Sequence, residues 1–210
     1  MMLFILDNGH GTRDYTKGKQ SPDWGDTPKI YEGEYTRKVV DMIVEKAPEY
    51  NLLVQKLVPE KQDISLAERA RRANALAQQF GKSNCLVVSV HLNASQTNKE
   101  AFIGWEIHTY IGQSKSDEYA TIFWNKANEI LPKVMPKRGD WSDGDPDWDS
   151  NFAILRDTVC PAVLTENMFM TSHNGCKFLN SEEGFNAVVK IHLEAMKEIA
   201  SNHKFRRYES

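Results

Sequence analysis

Three apolar runs in this chain stop abruptly at a residue that can bind a metal or carry a proton. Leu3-Phe4-Ile5-Leu6 runs into Asp7-Asn8-Gly9-His10-Gly11, Cys85-Leu86-Val87-Val88-Ser89-Val90 ends at His91, and Ala162-Val163-Leu164-Thr165 ends at Glu166. Short, continuous runs of this kind suit strands buried on both faces, as in parallel sheets covered by helices. Open α/β sheets present their ligands outside the carboxyl ends of such strands. The three termini are therefore expected to meet at one rim.

The intervening segments carry helical periodicity. Val39, Val40, Ile43, Val44 and Ala47 share one face of a helix expected over 32–47, which Pro48 stops because its ring and missing N–H do not suit a helix interior. Ser65 caps a helix with the stripe Leu66, Ala70, Ala73, Ala77 and Phe80, closed by Gly81. Tyr119, Phe123, Trp124, Ala127, Ile130 and Leu131 mark a third helix. Ser181 caps a long fourth, with Phe185, Val188, Val189, His192, Met196 and Ile199 on its stripe. Further strands are expected over 51–57, 103–110 and 152–156, the last paired with 162–166. Strands alternating with helices predict an α/β fold, with a mainly parallel central sheet of about five or six strands and helices on both faces. At 210 residues the expectation is a single domain, 1–210, since a second core would be cramped.

Composition narrows the class. A formal net charge of -3 offers no electrostatic reason to expect nucleic acid. Three cysteines (Cys85, Cys160, Cys176) cannot all pair, and no C-x-x-C spacing exists, so a disulfide framework or a cysteine zinc site is not expected. Met1-Met2 lead straight into the first strand without a readable signal peptide, and no apolar stretch approaches the roughly 18 residues of a membrane span. Synthesis in the cytoplasm is the expectation. No heptad asks for a partner helix, so a monomer is expected.

Zinc in hydrolases typically takes three protein ligands from His, Asp and Glu and keeps one position open. His10 and His91 supply two. The third should lie on an element opening at the same rim, and the first turn of the helix over 32–47 offers Glu32 and Glu34. Glu34 is the preferred reading and Glu32 competes for the role. Glu166 is then a non-ligand carboxylate beside the metal, placed to take a proton from water and return it to a leaving amine. Asp7 is a candidate for holding a ligand imidazole through its second nitrogen.

Asp7-Asn8-Gly9-His10-Gly11, Tyr31-Glu32-Gly33-Glu34-Tyr35, Leu66…Arg69…Ala73-Asn74, Ser89-Val90-His91-Leu92-Asn93-Ala94 and Pro161 to Phe169 occur in that order. This ordered set resembles the zinc-dependent N-acetylmuramoyl-L-alanine amidases of the "amidase 3" type, across nearly the whole chain, and looks most like the catalytic domains of phage endolysins. The resemblance implies one Zn2+ held by His10, Glu34 and His91, with Glu166 as the catalytic glutamate. It also implies hydrolysis of the amide joining N-acetylmuramic acid to L-alanine in peptidoglycan, reached after release or export from the cytoplasm. Two departures stand out. Glu34 is followed by Tyr35 where many members have a Glu-Lys pair, and Asn167-Met168 follow Glu166 where many have Gly-Phe. A zinc carboxypeptidase acting on the stem peptide, or a wall-binding module without catalysis, would be the competing readings.

Asn93, Trp141 and His173 are the candidate substrate contacts. Loop aromatics stack on sugars, which favours Trp141 in Asp140-Trp141-Ser142-Asp143-Gly144, although a buried anchor is the default for a loop tryptophan. His192, on an apolar stripe, reads as a hydrogen-bonded core residue. The Asp cluster around Pro146 is suggestive of calcium but lacks the ordered spacing of an EF-hand loop.

Overall fold

A computed structural model of the chain describes residues 1–96 and 104–206, with side chains as far as 203. Six strands among these form one sheet: β1 (Leu3–Asn8), β2 (Leu53–Lys56), β3 (Cys85–Asn93), β4 (Trp105–Thr109), β5 (Trp148–Asp149) and β6 (Ala162–Phe169). Their spatial order is β2-β1-β3-β6-β4-β5. Every pair is parallel except β4 with β6. The helices are α1 (Glu32–Lys46), α2 (Leu66–Phe80), α3 (Lys115–Ile130), α4 (Ala153–Arg156), α5 (His173–Asn180) and α6 (Glu182–Arg206).

The period-2 alternation of the strands divides the apolar runs between two cores. Phe4, Leu6, Leu86, Val88, Val90 and Val163 join the larger core with residues of α1, α3 and α6. Leu3, Ile5, Cys85, Val87, Ala162 and Leu164 join the smaller one with residues of α2 and α4. Each fully buried Val, Leu or Ile contributes about 1.5–3 kcal/mol, so both faces hold the sheet. Continuing the same parity sends Asp7, Ser89, His91 and Glu166 to the α2/α4 side. Functional groups thus emerge where the helical cover is thinnest.

Strand order reverses between β1 and β3. From β1 the chain crosses by α1 to β2 on one side, and from β2 by α2 to β3 on the other. Such a switch point opens a crevice beyond the carboxyl ends of its two strands. His10 and His91 flank this one.

The expected strand over 152–156 is corrected to a turn of helix, α4, with Arg156 N and Asp157 N bonded to Phe152 O and Ala153 O. Both flanks of β6 are already taken, by β3 and β4, so no edge is left for 152–156 to pair with it. The segment before Ser181 holds a further helix, α5, capped by Ser172 accepting from Gly175 N. The irregular stretch 133–151 supplies the short edge strand β5. The start expected for β4 at Ile103 lies outside the described residues.

His192 is fully buried between α6 and β6, its Nδ1 at 2.7 Å from Val188 O and its Nε2 at 3.0 Å from Thr165 Oγ1. Burial pushes its pKa down to about 4, so the ring is neutral and structural, as the apolar stripe suggested.

Candidate metal and acid–base site

The turn after β1 is held from every side. Gly9 N donates to Val90 O, so the backbone is still tied to β3 one residue beyond the strand. Thr36 Oγ1 donates to Gly9 O and Arg37 Nη2 to His10 O, both from α1. These bonds hold His10 at φ 61°, a left-handed conformation that costs a non-glycine residue about 1–3 kcal/mol. Two glycines make the close packing possible. A Cβ on Gly9 would lie 2.4 Å from His91 Cε1, and one on Gly33 would lie 1.8 Å from Gly11 O. The first turn of α1 therefore sits backbone against backbone on the His10 turn. Gly33→Ala is expected to destabilise the fold by about 1–3 kcal/mol, by overpacking, and to weaken metal affinity more than any surface Gly→Ala change. Thermal melting and zinc titration of that variant check both.

The close approach delivers Glu32 to the two histidines. Its carboxylate is buried, with Oε2 at 3.4 Å from His10 Nε2 and Oε1 at 3.1 Å from His91 Nδ1. Leu92 N donates to the same Oε1 at 3.1 Å. The imidazoles meet edge to face, 5.2 Å between centroids and 87° between planes. One donor atom from each of His10, Glu32 and His91 lies within 4.8 Å of the other two. Burial opposes charge on Glu32, but the hydrogen bond from His91, the nearby imidazoles and Leu92 N outweigh it, and its pKa falls. Burial likewise opposes charge on His91, where the Glu32 contact wins and raises the pKa. Burial prevails at His10, whose pKa is lowered. Two imidazoles and one carboxylate match the donor chemistry of catalytic zinc sites.

Glu34 is not in this cluster, and the expectation for it is corrected. It faces outward and takes a bidentate pair from Arg13, Nε at 2.6 Å and Nη2 at 2.7 Å. Asp7 also departs from its expected role. Its two oxygens accept from Arg69 Nη1 at 2.5 Å and Ser89 Oγ at 2.7 Å, not from an imidazole. Arg69 further donates to Asn8 O and Ile64 O, so the buried pair ties α2 to the end of β1.

Glu166 lies beside His91 in the β3–β6 register and beside Glu106 in the β4–β6 register. His91, Glu166 and Glu106 form a row across three strands on one face. Glu166 Oε2 is buried without a hydrogen-bond partner among the described residues. Burial pushes its pKa up to about 8, with Glu32 and Glu106 adding to the rise and His91 and Lys19 opposing it. The β3–β6 register shifts just past this pair, and Met168 takes φ 69°. Asn167 anchors the irregularity by donating to His91 O and accepting from Trp105 Nε1, so the Asn167-Met168 departure has a structural use.

A cleft of about 350 Å3 contains His10, Glu32, His91 and Glu166, with Lys19, Asp63 and Ile154 on its walls. A second compartment of about 320 Å3 shares Asn93, Ala94, Phe152 and Glu166 with it and continues toward Glu106, Arg138 and Trp148. Asn93 lies at the junction and donates to Glu106 Oε2 at 2.8 Å. Arg138 pairs with Glu106. Trp141 is 60% exposed, stands edge-on to Trp124 and lines neither compartment. His173 stacks on Trp24 at 4.8 Å, bonds Asp26 at 2.7 Å and is likewise outside both. Lys19, Asp63, Glu106, Arg138 and Phe152 carried no sequence signal. Parity with Glu166 would have identified Glu106 only once the antiparallel pairing of β4 was known.

The Amidase_3 model, described as N-acetylmuramoyl-L-alanine amidase, matches residues 4–198. The chain belongs to this family. An endolysin of Bacillus phage SPP1 is 30% identical over 198 residues, covering 94% of this chain and 65% of the relative. The amidase CwlM of Bacillus licheniformis is 24% identical over 200 residues, covering 93% and 68%. The chain thus spans about two thirds of the length of these relatives. Among solved structures, an N-acetylmuramoyl-L-alanine amidase from Clostridium difficile 630 superimposes with a TM-score of 0.72 at 21% identity, over 95% of this chain and 97% of that one. The amidase Ami1 from Mycobacterium smegmatis gives 0.74 at 16% identity, over 96% and 97%. These likenesses establish the family's α/β fold. Among the described residues, no helix is long and apolar enough to cross a membrane.

Proposed function

We propose that this chain, as one catalytic unit over 1–210, hydrolyses the amide between N-acetylmuramic acid and L-alanine of peptidoglycan, using one Zn2+ held by His10, Glu32 and His91. The observation that carries the reading is the convergence of these three donors with an unpartnered carboxylate, Glu166, at one strand-end rim. A zinc ion there would polarise the scissile carbonyl and acidify the attacking water. Glu166 takes the proton of that water and passes it to the departing alanine nitrogen. A carboxyl with a pKa near the working pH suits both halves of the transfer. The paired compartments leave room for substrate on both sides of Glu166, with Asn93 at their junction as a candidate contact. The substrate is reached after release or export from the cytoplasm, by a monomer that needs no nucleic-acid partner.

The test is digestion of purified peptidoglycan with and without a chelator, followed by zinc add-back and mass analysis. Fragments with new alanine amino termini, lost on chelation and recovered with zinc, are expected. Release of single carboxyl-terminal amino acids would assign a carboxypeptidase, and undiminished lysis in chelator would remove zinc from the reaction.

A further inference from the structure

On the far side of β4 from the cleft's first compartment, Asp117, Asp145 and Asp147 bring one oxygen each to within 4.8 Å of one another. Asp117 and Asp147 are each only 3% exposed. Neutral donors compensate the cluster in part: Ser114 N and Oγ donate to Asp117 Oδ2, and Gln113 Nε2 donates to Asp145 Oδ2. Thr109 Oγ1 lies 2.6 Å from Asp147 Oδ2 and 3.2 Å from Asp117 Oδ1, but a hydroxyl has one hydrogen to give. Asp147 Oδ1 and Asp145 Oδ1 are buried without any partner among the described residues. The ion pairs of those residues include none from Lys or Arg to these three carboxylates. Burial and the facing Asp145 push Asp147 up to about 8, the response of an acid pressed against other acids without a counter-charge.

We propose that Asp117, Asp145 and Asp147, with the Thr109 hydroxyl, form a second cation site separate from the His10 cleft, built for a hard divalent ion of the calcium class. Every donor is oxygen, which selects against zinc and other nitrogen- or sulfur-seeking ions. Calcium takes 6–8 oxygens in flexible geometry. Water completes its shell from an open groove alongside, lined by Gln113, Ser114, Asp143 and Gly144. The donors come from the end of β4, the first turn of α3 and the segment entering β5. An ion joining them clamps the irregular stretch before β5 to the sheet. That stretch carries Arg138 and leads into Trp148 of β5, and both wall the cleft beyond Glu166.

The experiment uses the zinc-loaded full chain in calcium-free buffer, titrated with Ca2+ or Mg2+ alone and followed by calorimetry and thermal melting. One equivalent of Ca2+ is expected to bind. The melting temperature should rise by about 5–10 °C at a free concentration of roughly 100 Kd, with a smaller effect from Mg2+. Asp147→Asn and Asp145→Asn should each abolish the rise while retaining zinc. The pH profile gives an independent reading. Asp147 is raised above its unfolded value, so the calcium-free protein should lose stability as pH climbs from about 4 through about 8, and Ca2+ should remove that loss. The charges that raise Asp147 are Asp145 and Asp117; Asp143 and Glu118 line the adjoining groove, Glu118 paired with Lys115. No calcium heat and no shift at millimolar Ca2+ overturns the proposal, as does an equal shift in both variants. A melting temperature that follows pH but ignores calcium would assign the cluster a shared proton instead.

Discussion

Glu166→Gln is expected to bind one equivalent of zinc and to cleave peptidoglycan about 10²–10⁴-fold more slowly than the parent chain. The amide matches the carboxyl in shape but cannot take a proton from water or return one to the alanine nitrogen. Because Oε2 has no partner and burial already disfavours its charge, the substitution should leave the melting temperature unchanged or raised. Loss of activity would then not be loss of fold. Zinc titration, melting and fragment release on one preparation separate these outcomes. Activity within tenfold of the parent would take Glu166 out of the reaction.

Glu32→Gln and Glu34→Gln should part company sharply. The first removes an anionic donor from between two imidazoles and is expected to lower zinc affinity by at least about 100-fold, with lysis falling in step at limiting zinc. The second removes only one partner of the outward-facing Arg13 pair and should leave zinc affinity and lysis within about threefold of the parent, because such surface pairs contribute little. Excess zinc should restore Glu32→Gln partly. Equal losses in both variants would sink the assignment of Glu32.

The contrast between these two glutamates was legible in the helical periodicity, and the preference for Glu34 overlooked it. Residues two apart on a helix point about 200° away from one another, so only one of them can face the histidines. The apolar stripe of α1 already sets that phase: Glu32 stands seven, eight and eleven residues before Val39, Val40 and Ile43 on the buried face, and Glu34 falls on the opposite one. The close approach of Gly33 to Gly11 O, a contact between segments that no local pattern announces, then brings that face within reach of the histidines. Asp7 shows where local pattern stops: its partner Arg69 stands on a polar-looking helix face and is buried only because α2 folds over the end of β1. In the short stretch 153–156, a buried Ile-Leu pair fits a strand or a helical turn equally well in isolation. The sheet's full occupancy decided for the turn.

The α/β class, the three central strands and the meeting of His10, His91 and Glu166 at one rim were all legible in the chain. Burial on both faces writes itself as unbroken apolar runs, and each run must end where polar groups become affordable again. The partner of Asp7, the row from His91 through Glu166 to Glu106, and the acidic cluster around Asp147 came only with the tertiary structure. They depend on strand order, on the antiparallel pairing of β4 and on backbone contacts between segments far apart in sequence. Those are properties of how the elements pack, and local periodicity does not encode them.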